Sequence, residues 1–280
     1  MPTINRVLSE ENLGNFIKDF KNLIKIVNNS QGELDLSIRD NYLNVYYKGN
    51  SLARIRFTKS GVYRIEIHKK FFEGTKADST EFYKVRKESG DYYILTLDER
   101  KSPLRFLQKA HIDQFCGRIK QVNYGEEIVF EQALITDNLG REDLIIIDRQ
   151  ITDTKLRGKR LDLLALKQIK SGEREYHFLV LEVKLGNNPE LKQDVANQLK
   201  GYLNHIKYYI GDYQQCYQTQ FVQKKAMGVL KNVSYETITI ADQVKGMVIV
   251  GGYSKIAQKS IKELKILFPD IQIKQFIYEL

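Results

Sequence analysis

Two stretches decide how this chain folds: Leu161-Asp162-Leu163-Leu164-Ala165-Leu166 and Phe178-Leu179-Val180-Leu181-Glu182-Val183-Lys184-Leu185. Each is a nearly continuous apolar run of strand length, the pattern of a strand buried on both faces. Charge interrupts both runs, with Asp162 in the first and Glu182 and Lys184 in the second. Residues i and i+2 of a strand point to the same face, so Glu182 and Lys184 project together. A lone buried carboxylate is costly, and it becomes protonated unless a cation or donors compensate it. Two on neighbouring strands are tolerable if they meet each other and a divalent cation. Oxygen ligands favour Mg²⁺ or Mn²⁺ over zinc. The plainer reading is an edge-strand pair facing solvent or one structural ion pair, since such triplets also arise by chance.

The surrounding elements fill out a domain over residues 121–280. A helical pattern runs from Glu126 to Thr136, and strands are expected at Leu144 to Asp148, Leu161 to Leu166 and His177 to Leu185. Helices follow from about Pro189 to Tyr209 and from Tyr213 to Leu230. A buried strand at Gly246 to Gly251, a helix at Ile256 to Leu267 and a last strand at Ile271 to Tyr278 complete it. That order implies a mixed α/β sheet with helices on its faces. On the helix after the Glu182 strand, Gln198 and Tyr202 lie four residues apart, hence on one face.

Asp162, Glu182-Val183-Lys184 and Gln198-Leu199-x-x-Tyr202 together resemble the PD-(D/E)XK nuclease superfamily, in particular its RecB-like branch. The resemblance spans about residues 123–280 and implies a restriction-endonuclease-like fold. It also implies Mg²⁺- or Mn²⁺-dependent hydrolysis of phosphodiester bonds, in DNA more than in RNA. Under that resemblance Asp162 and Glu182 hold the metal and the Val183 carbonyl helps. Lys184 orients water or neutralises a phosphate oxygen, and Gln198 and Tyr202 brace the ligands or touch the phosphate. The helix carboxylate of the family is expected at Glu127, with Glu131 one turn on as the close competitor. Leu161 stands where the family often has proline. A nuclease-fold protein that binds nucleic acid without cutting is the alternative. Defence against phage, restriction and repair are analogies at the level of fold.

Lys155, Arg157, Lys159 and Arg160 crowd the segment leading into the Asp162 strand, and would contact phosphates without reading sequence. A solvated hairpin loop is the equal alternative. His68, His111, His177 and His205 have no metal-pair spacing and read as surface or packing residues. No GxxxxGK[ST] stretch exists, so nucleotide hydrolysis by a P-loop is excluded.

The first 120 residues read as a smaller α+β module. One helix is expected from Leu8 to Val27, then short strands at Glu33 to Ile38, Tyr42 to Tyr47, Ser51 to Thr58 and Val62 to Ile67. A helix over 103–121 closes the module, with Pro103 near its start. Of the 280 residues, 44 are Lys or Arg and 35 Asp or Glu, so the net charge is +9. Residues 1–120 hold 22 basic and 15 acidic side chains, against 22 and 20 in the remainder. The excess therefore lies in the module, which is expected to engage nucleic acid or a partner. With 42% hydrophobic and 28% charged residues, the composition is that of a globular chain, not a disordered one. No apolar run reaches the roughly 18 residues of a membrane span. Cys116 and Cys216 form no CxxC pair, which excludes a cysteine zinc site and a disulfide framework. A cytoplasmic, reduced protein is expected. The oligomeric state is left open, a homodimer included.

Overall fold

The computed structural model describes residues 2–59, 61–98, 102–122, 125–156, 159–230 and 232–277. The chain divides into two compact units. One takes residues 5–124 together with 222–231, and the other takes residues 1–4, 125–221 and 232–280.

The N-terminal unit begins with α1 (Glu10–Asp19) and α2 (Lys21–Asn29). Ser9 caps α1 by accepting from the Asn12 N–H, and Glu10 and Glu11 suit the positive end of the helix dipole. The single helix expected over Leu8 to Val27 is in fact two, broken at Phe20 (φ −117°, ψ 20°). Packing decides the break: the Phe20 ring stacks on Phe16 at 5.0 Å and meets Tyr63 edge-on at 5.0 Å.

Strands β1 (Leu34–Arg39), β2 (Tyr42–Tyr47), β3 (Asn50–Lys59) and β4 (Val62–His68) follow as antiparallel neighbours. The β2–β3 turn is Lys48-Gly49, both at positive φ, as a two-residue type I′ hairpin requires. A short α3 (Lys69–Phe72) leads to β5 (Val85–Ser89) and β6 (Tyr92–Leu97), two strands the sequence pattern had not marked. The sheet order is β1-β2-β3-β4-β6-β5. The helix expected over 103–121 is interrupted at Leu107-Gln108, leaving α4 (Pro103–Phe106) and α5 (Lys109–Lys120). One face of the sheet carries Leu36, Leu43, Ile55, Ile65 and Leu95, which join Phe16, Leu23, Phe106 and Phe115 of the helices in one buried cluster.

The second unit runs α6 (Glu126–Asp137), β7 (Leu144–Ile151), β8 (Leu161–Gln168), β9 (Glu175–Leu185), α7 (Gln193–Tyr208), α8 (Ile210–Ala226), β10 (Thr239–Gly251), α9 (Ser254–Leu267) and β11 (Gln272–Phe276). Residues 222–226, the end of α8, belong with the N-terminal unit. The expected strand end at Tyr278 lies outside the described residues. The five strands are ordered β11-β10-β9-β8-β7, antiparallel between β7, β8 and β9 and parallel between β9, β10 and β11. This is a mixed α/β sheet.

Its two faces separate by residue parity. Leu179, Leu181 and Val183 of β9 and Leu163 and Ala165 of β8 pack on Phe130 and Leu134 of α6. The alternate residues Asp162, Glu182 and Lys184 therefore leave from the opposite face. Gly251 lets α6 approach β10 closely, since a Cβ there would lie 2.6 Å from the Phe130 ring. Among the described residues no helix is long and apolar enough to cross a membrane.

Candidate active site

Register brings the two carboxylates together. β8 and β9 pair antiparallel with Leu163 opposite Leu181, which sets Asp162 beside Glu182 at the next position. Asp162 Oδ2 accepts from the Val183 N–H at 2.9 Å. Lys184 Nζ lies 3.1 Å from Glu182 Oε1 and 3.4 Å from Glu190 Oε2. Glu182 and Lys184 are 2% and 6% exposed, so this is a buried ion pair on one strand.

Burial, then the adjoining Asp162 carboxylate, pushes the Glu182 carboxyl up to about 8. Asp162 moves the same way through burial, against the opposing pull of Lys184 and the Val183 N–H. Burial disfavours the Lys184 ammonium, but Glu182, Asp162 and Glu127 outweigh it and hold the group protonated above the usual lysine range. Asp162 thus opposes ionisation of Glu182, while Lys184 favours the charged form of both carboxylates.

Glu182 Oε2 is buried in this site without a hydrogen-bond partner; Gln198 Oε1, on α7, is also buried without one. Buried polar atoms are nearly always satisfied, and an orphaned carboxylate oxygen beside a second carboxylate fits a cation better than anything apolar. The carboxylate oxygens of Asp162 and Glu182 are donors of the kind that suits Mg²⁺ or Mn²⁺. Among the described residues, however, no three His, Cys, Asp or Glu side chains are gathered as a complete metal cage. Lys184 supplies the positive charge at Glu182.

The helix carboxylates are placed differently. Glu127 Oε2 accepts from Leu185 N at 3.3 Å and Asn188 Nδ2 at 3.0 Å, which ties α6 to the end of β9. Glu131, 4% exposed, binds Arg149 at 3.3 Å and is pushed up to about 7 by burial and then by Asp162. Both carboxylates are within electrostatic reach of Asp162. Beside Glu127 lies a cavity of about 420 Å³, lined by Glu126, Phe130, Leu185 and Tyr253 among others.

On α7, Tyr202 is buried and its hydroxyl donates to the Arg160 carbonyl at 2.8 Å. Burial, then Glu182 and Asp162, raises the phenol to about 12. Tyr202 thus fixes the end of the basic segment next to the carboxylates. Lys155, Lys159 and Arg160 are exposed, while Arg157 lies outside the described residues.

No family model and no curated protein matches this chain. Among solved structures it is similar to EndoMS in its apo form, with a TM-score of 0.23, 9% identity and 99% of each chain covered. That level of likeness establishes neither a shared fold nor a shared activity.

The sequence reading missed a clamp at the start of the basic segment. The Asp153 side chain is fully buried; Oδ1 accepts from the N–H groups of Lys155 at 2.7 Å and Leu156 at 2.8 Å. Its Oδ2 accepts from Tyr213 at 2.7 Å and pairs with His205 Nε2. His205 stands three residues beyond Tyr202 on α7, so one helix face holds both ends of the segment. The local signal was Asp153 followed two and three residues on by the amides it binds; the His205 and Tyr213 partners had none.

Proposed function

We propose that the second unit is a Mg²⁺- or Mn²⁺-dependent nuclease of the PD-(D/E)XK type, with a restriction-endonuclease-like sheet, acting on DNA in preference to RNA. The observation that carries this reading is the pair Asp162 and Glu182 on adjacent strands, with Lys184 beside them and Glu182 Oε2 unpartnered. Asp162, Glu182 and the Val183 carbonyl would hold the ion, with Glu127 completing or supporting the set, because Arg149 already occupies Glu131. The ion, when bound, supplies a Lewis acid that activates water and steadies charge on phosphorus.

The remaining roles belong to the chain. Lys184, released from Glu182, presents a compact ammonium to a phosphate oxygen as its charge grows. Gln198 and Tyr202 brace the site from α7, and Tyr202 anchors the exposed Lys159-Arg160 end of the basic segment through Arg160. Those cations add affinity for a phosphate backbone, together with Lys155 and Arg157.

The direct Lys184–Glu182 pair also suits a protein of this fold that binds without cutting. Incubation with linear, circular and single-stranded DNA and with RNA, with and without Mn²⁺, separates the two. Cleavage that needs Mn²⁺ or Mg²⁺ and is lost in Glu182→Ala is the expected result. Metal-stabilised folding without turnover would favour the binding protein, and full activity in EDTA would overturn both.

A further inference from the structure

The N-terminal sheet has one face closed by helices and another that opens at β3, β4, β6 and β5. Strand register puts Arg54 and Arg56 of β3, Arg64 and Glu66 of β4, Tyr92 and Ile94 of β6 and Lys87 of β5 on that second face. Arg56, Arg64 and Lys87 are exposed, and Arg54, Tyr92 and Ile94 half-buried. Toward β1 and β2 the same face is buried at Ser37, Arg39, Asn44 and Tyr46, so the open part is four strands wide.

The charge on this surface is not what the fold needs. Arg56 lies directly opposite Arg64 across the β3–β4 pair, and like charges so placed destabilise a sheet. Glu66 is the one carboxylate that these four strands put on the face, and it is taken by Arg54 at 2.7 Å. Among the described residues, neither Arg56 nor Arg64 has a carboxylate partner. The cations are also interleaved with rings: Arg56 stands 4.1 Å from the Tyr42 centroid and Arg54 5.3 Å from that of Tyr92. Guanidinium planes and phenol rings on a flat sheet can stack unpaired bases while the charges meet the backbone. A duplex hides its base faces and would use only the charge.

We infer that the β3-β4-β6-β5 face is a binding platform for single-stranded nucleic acid. Four strands spaced about 4.8 Å apart give room for roughly two or three bases. Arg56 and Arg64 take adjacent phosphates, and Tyr92 and the Arg54 guanidinium take bases. This goes beyond the catalytic reading and is independent of it, since every residue invoked is in the N-terminal unit.

The test is fluorescence anisotropy with a labelled 20-mer of oligo(dT), the matching RNA and a duplex, using the full chain in EDTA at two salt concentrations. Arg56→Ala/Arg64→Ala should weaken single-strand binding roughly 10-fold and lower the salt slope by about 1.4, about 0.7 for each lost contact. Tyr92→Ala should weaken it about 5-fold or more with the slope unchanged. Unchanged melting temperatures show that the variants fold; relief of the Arg56–Arg64 repulsion is expected to stabilise the double variant if anything. Cleavage in Mn²⁺ is assayed beside binding for Arg56→Ala/Arg64→Ala, so loss of cleavage and loss of this platform are read separately. Unchanged affinity in the double variant, or equal weakening for duplex and single strand in Tyr92→Ala, would each overturn the inference.

Discussion

Lys184 and Glu182, two residues apart on β9, form a buried ion pair at 3.1 Å that leaves the second Glu182 oxygen without a partner. A buried pair in that state costs desolvation on both ions, and mutual attraction repays it only when the other oxygens and protons are satisfied. Here one is not. The geometry is therefore better suited to a site that exchanges charges than to a device that stabilises the fold.

Glu182→Gln should accordingly raise stability in metal-free buffer while ending metal-dependent cleavage. The amide keeps the shape of the side chain and removes the repulsion with Asp162. Melting temperature in EDTA and a cleavage assay in Mn²⁺ check the two halves together. A variant that is less stable in EDTA, or that still cuts, contradicts the reading.

Stability should depend on pH in a direction set by the same carboxyl. Unfolded, Glu182 ionises near 4.5; folded, near 8. Below 4.5 both states are protonated and the contribution is complete. Between 4.5 and 8 the unfolded chain releases its proton more readily than the folded one, so stability falls as pH rises through this range. Chemical denaturation from pH 5 to 8.5 in EDTA should show this decline. Mn²⁺, replacing the proton, should flatten it, and so should Glu182→Gln.

Much of this could be seen in the amino-acid order because burial on both faces writes itself into β8 and β9 as apolar runs, against which Asp162, Glu182 and Lys184 stand out. Where structure depends on distant partners, the local pattern was silent. β5 (Val85-Arg86-Lys87-Glu88-Ser89) is an exposed edge strand with no apolar face, so nothing in its composition separates it from a loop. The break at Phe20 comes from rings packed in three dimensions, without Gly or Pro to announce it. Asp153 and His205 are 52 residues apart, and neither residue type nor spacing links them.

Removing the Asp153 clamp gives a prediction of a different kind. Asp153→Ala removes the acceptor shared by two amides, the Tyr213 hydroxyl and the His205 ring, in a partly buried setting. The loss should be on the order of 2–4 kcal/mol, the range for breaking a buried hydrogen-bonded network. Because Tyr202 still holds Arg160, hydrogen exchange should rise at Lys155 and Leu156 and stay low in the middle of β8. Global unfolding with uniform exchange would show that Asp153 supports the whole unit and not the basic segment alone.

Lys184 offers the last prediction, because it distinguishes competition from simple support. If its ammonium stands at Glu182 when no metal is bound, then metal and ammonium compete for the same carboxylate charge. Lys184→Ala should bind Mn²⁺ more tightly than wild type, and its melting temperature should rise more steeply with added Mn²⁺. In EDTA it should be less stable, since Glu182 and Asp162 lose the cation that offsets their burial. Its turnover should nevertheless fall by on the order of 10²-fold or more, the scale for removing one group that acts on charge developing in the transition state. Lys184→Arg should restore the EDTA stability in part and the turnover little, because a planar guanidinium does not fit where a compact ammonium approaches an oxygen 3.1 Å away. Single-turnover cleavage at saturating Mn²⁺, set beside calorimetric Mn²⁺ titration, reads both quantities in one set of variants. Tighter metal with slower cutting is the signature of a lysine that moves between carboxylate and phosphate. Weaker metal with unchanged cutting would make Lys184 a structural counter-ion and leave the chemistry to other groups.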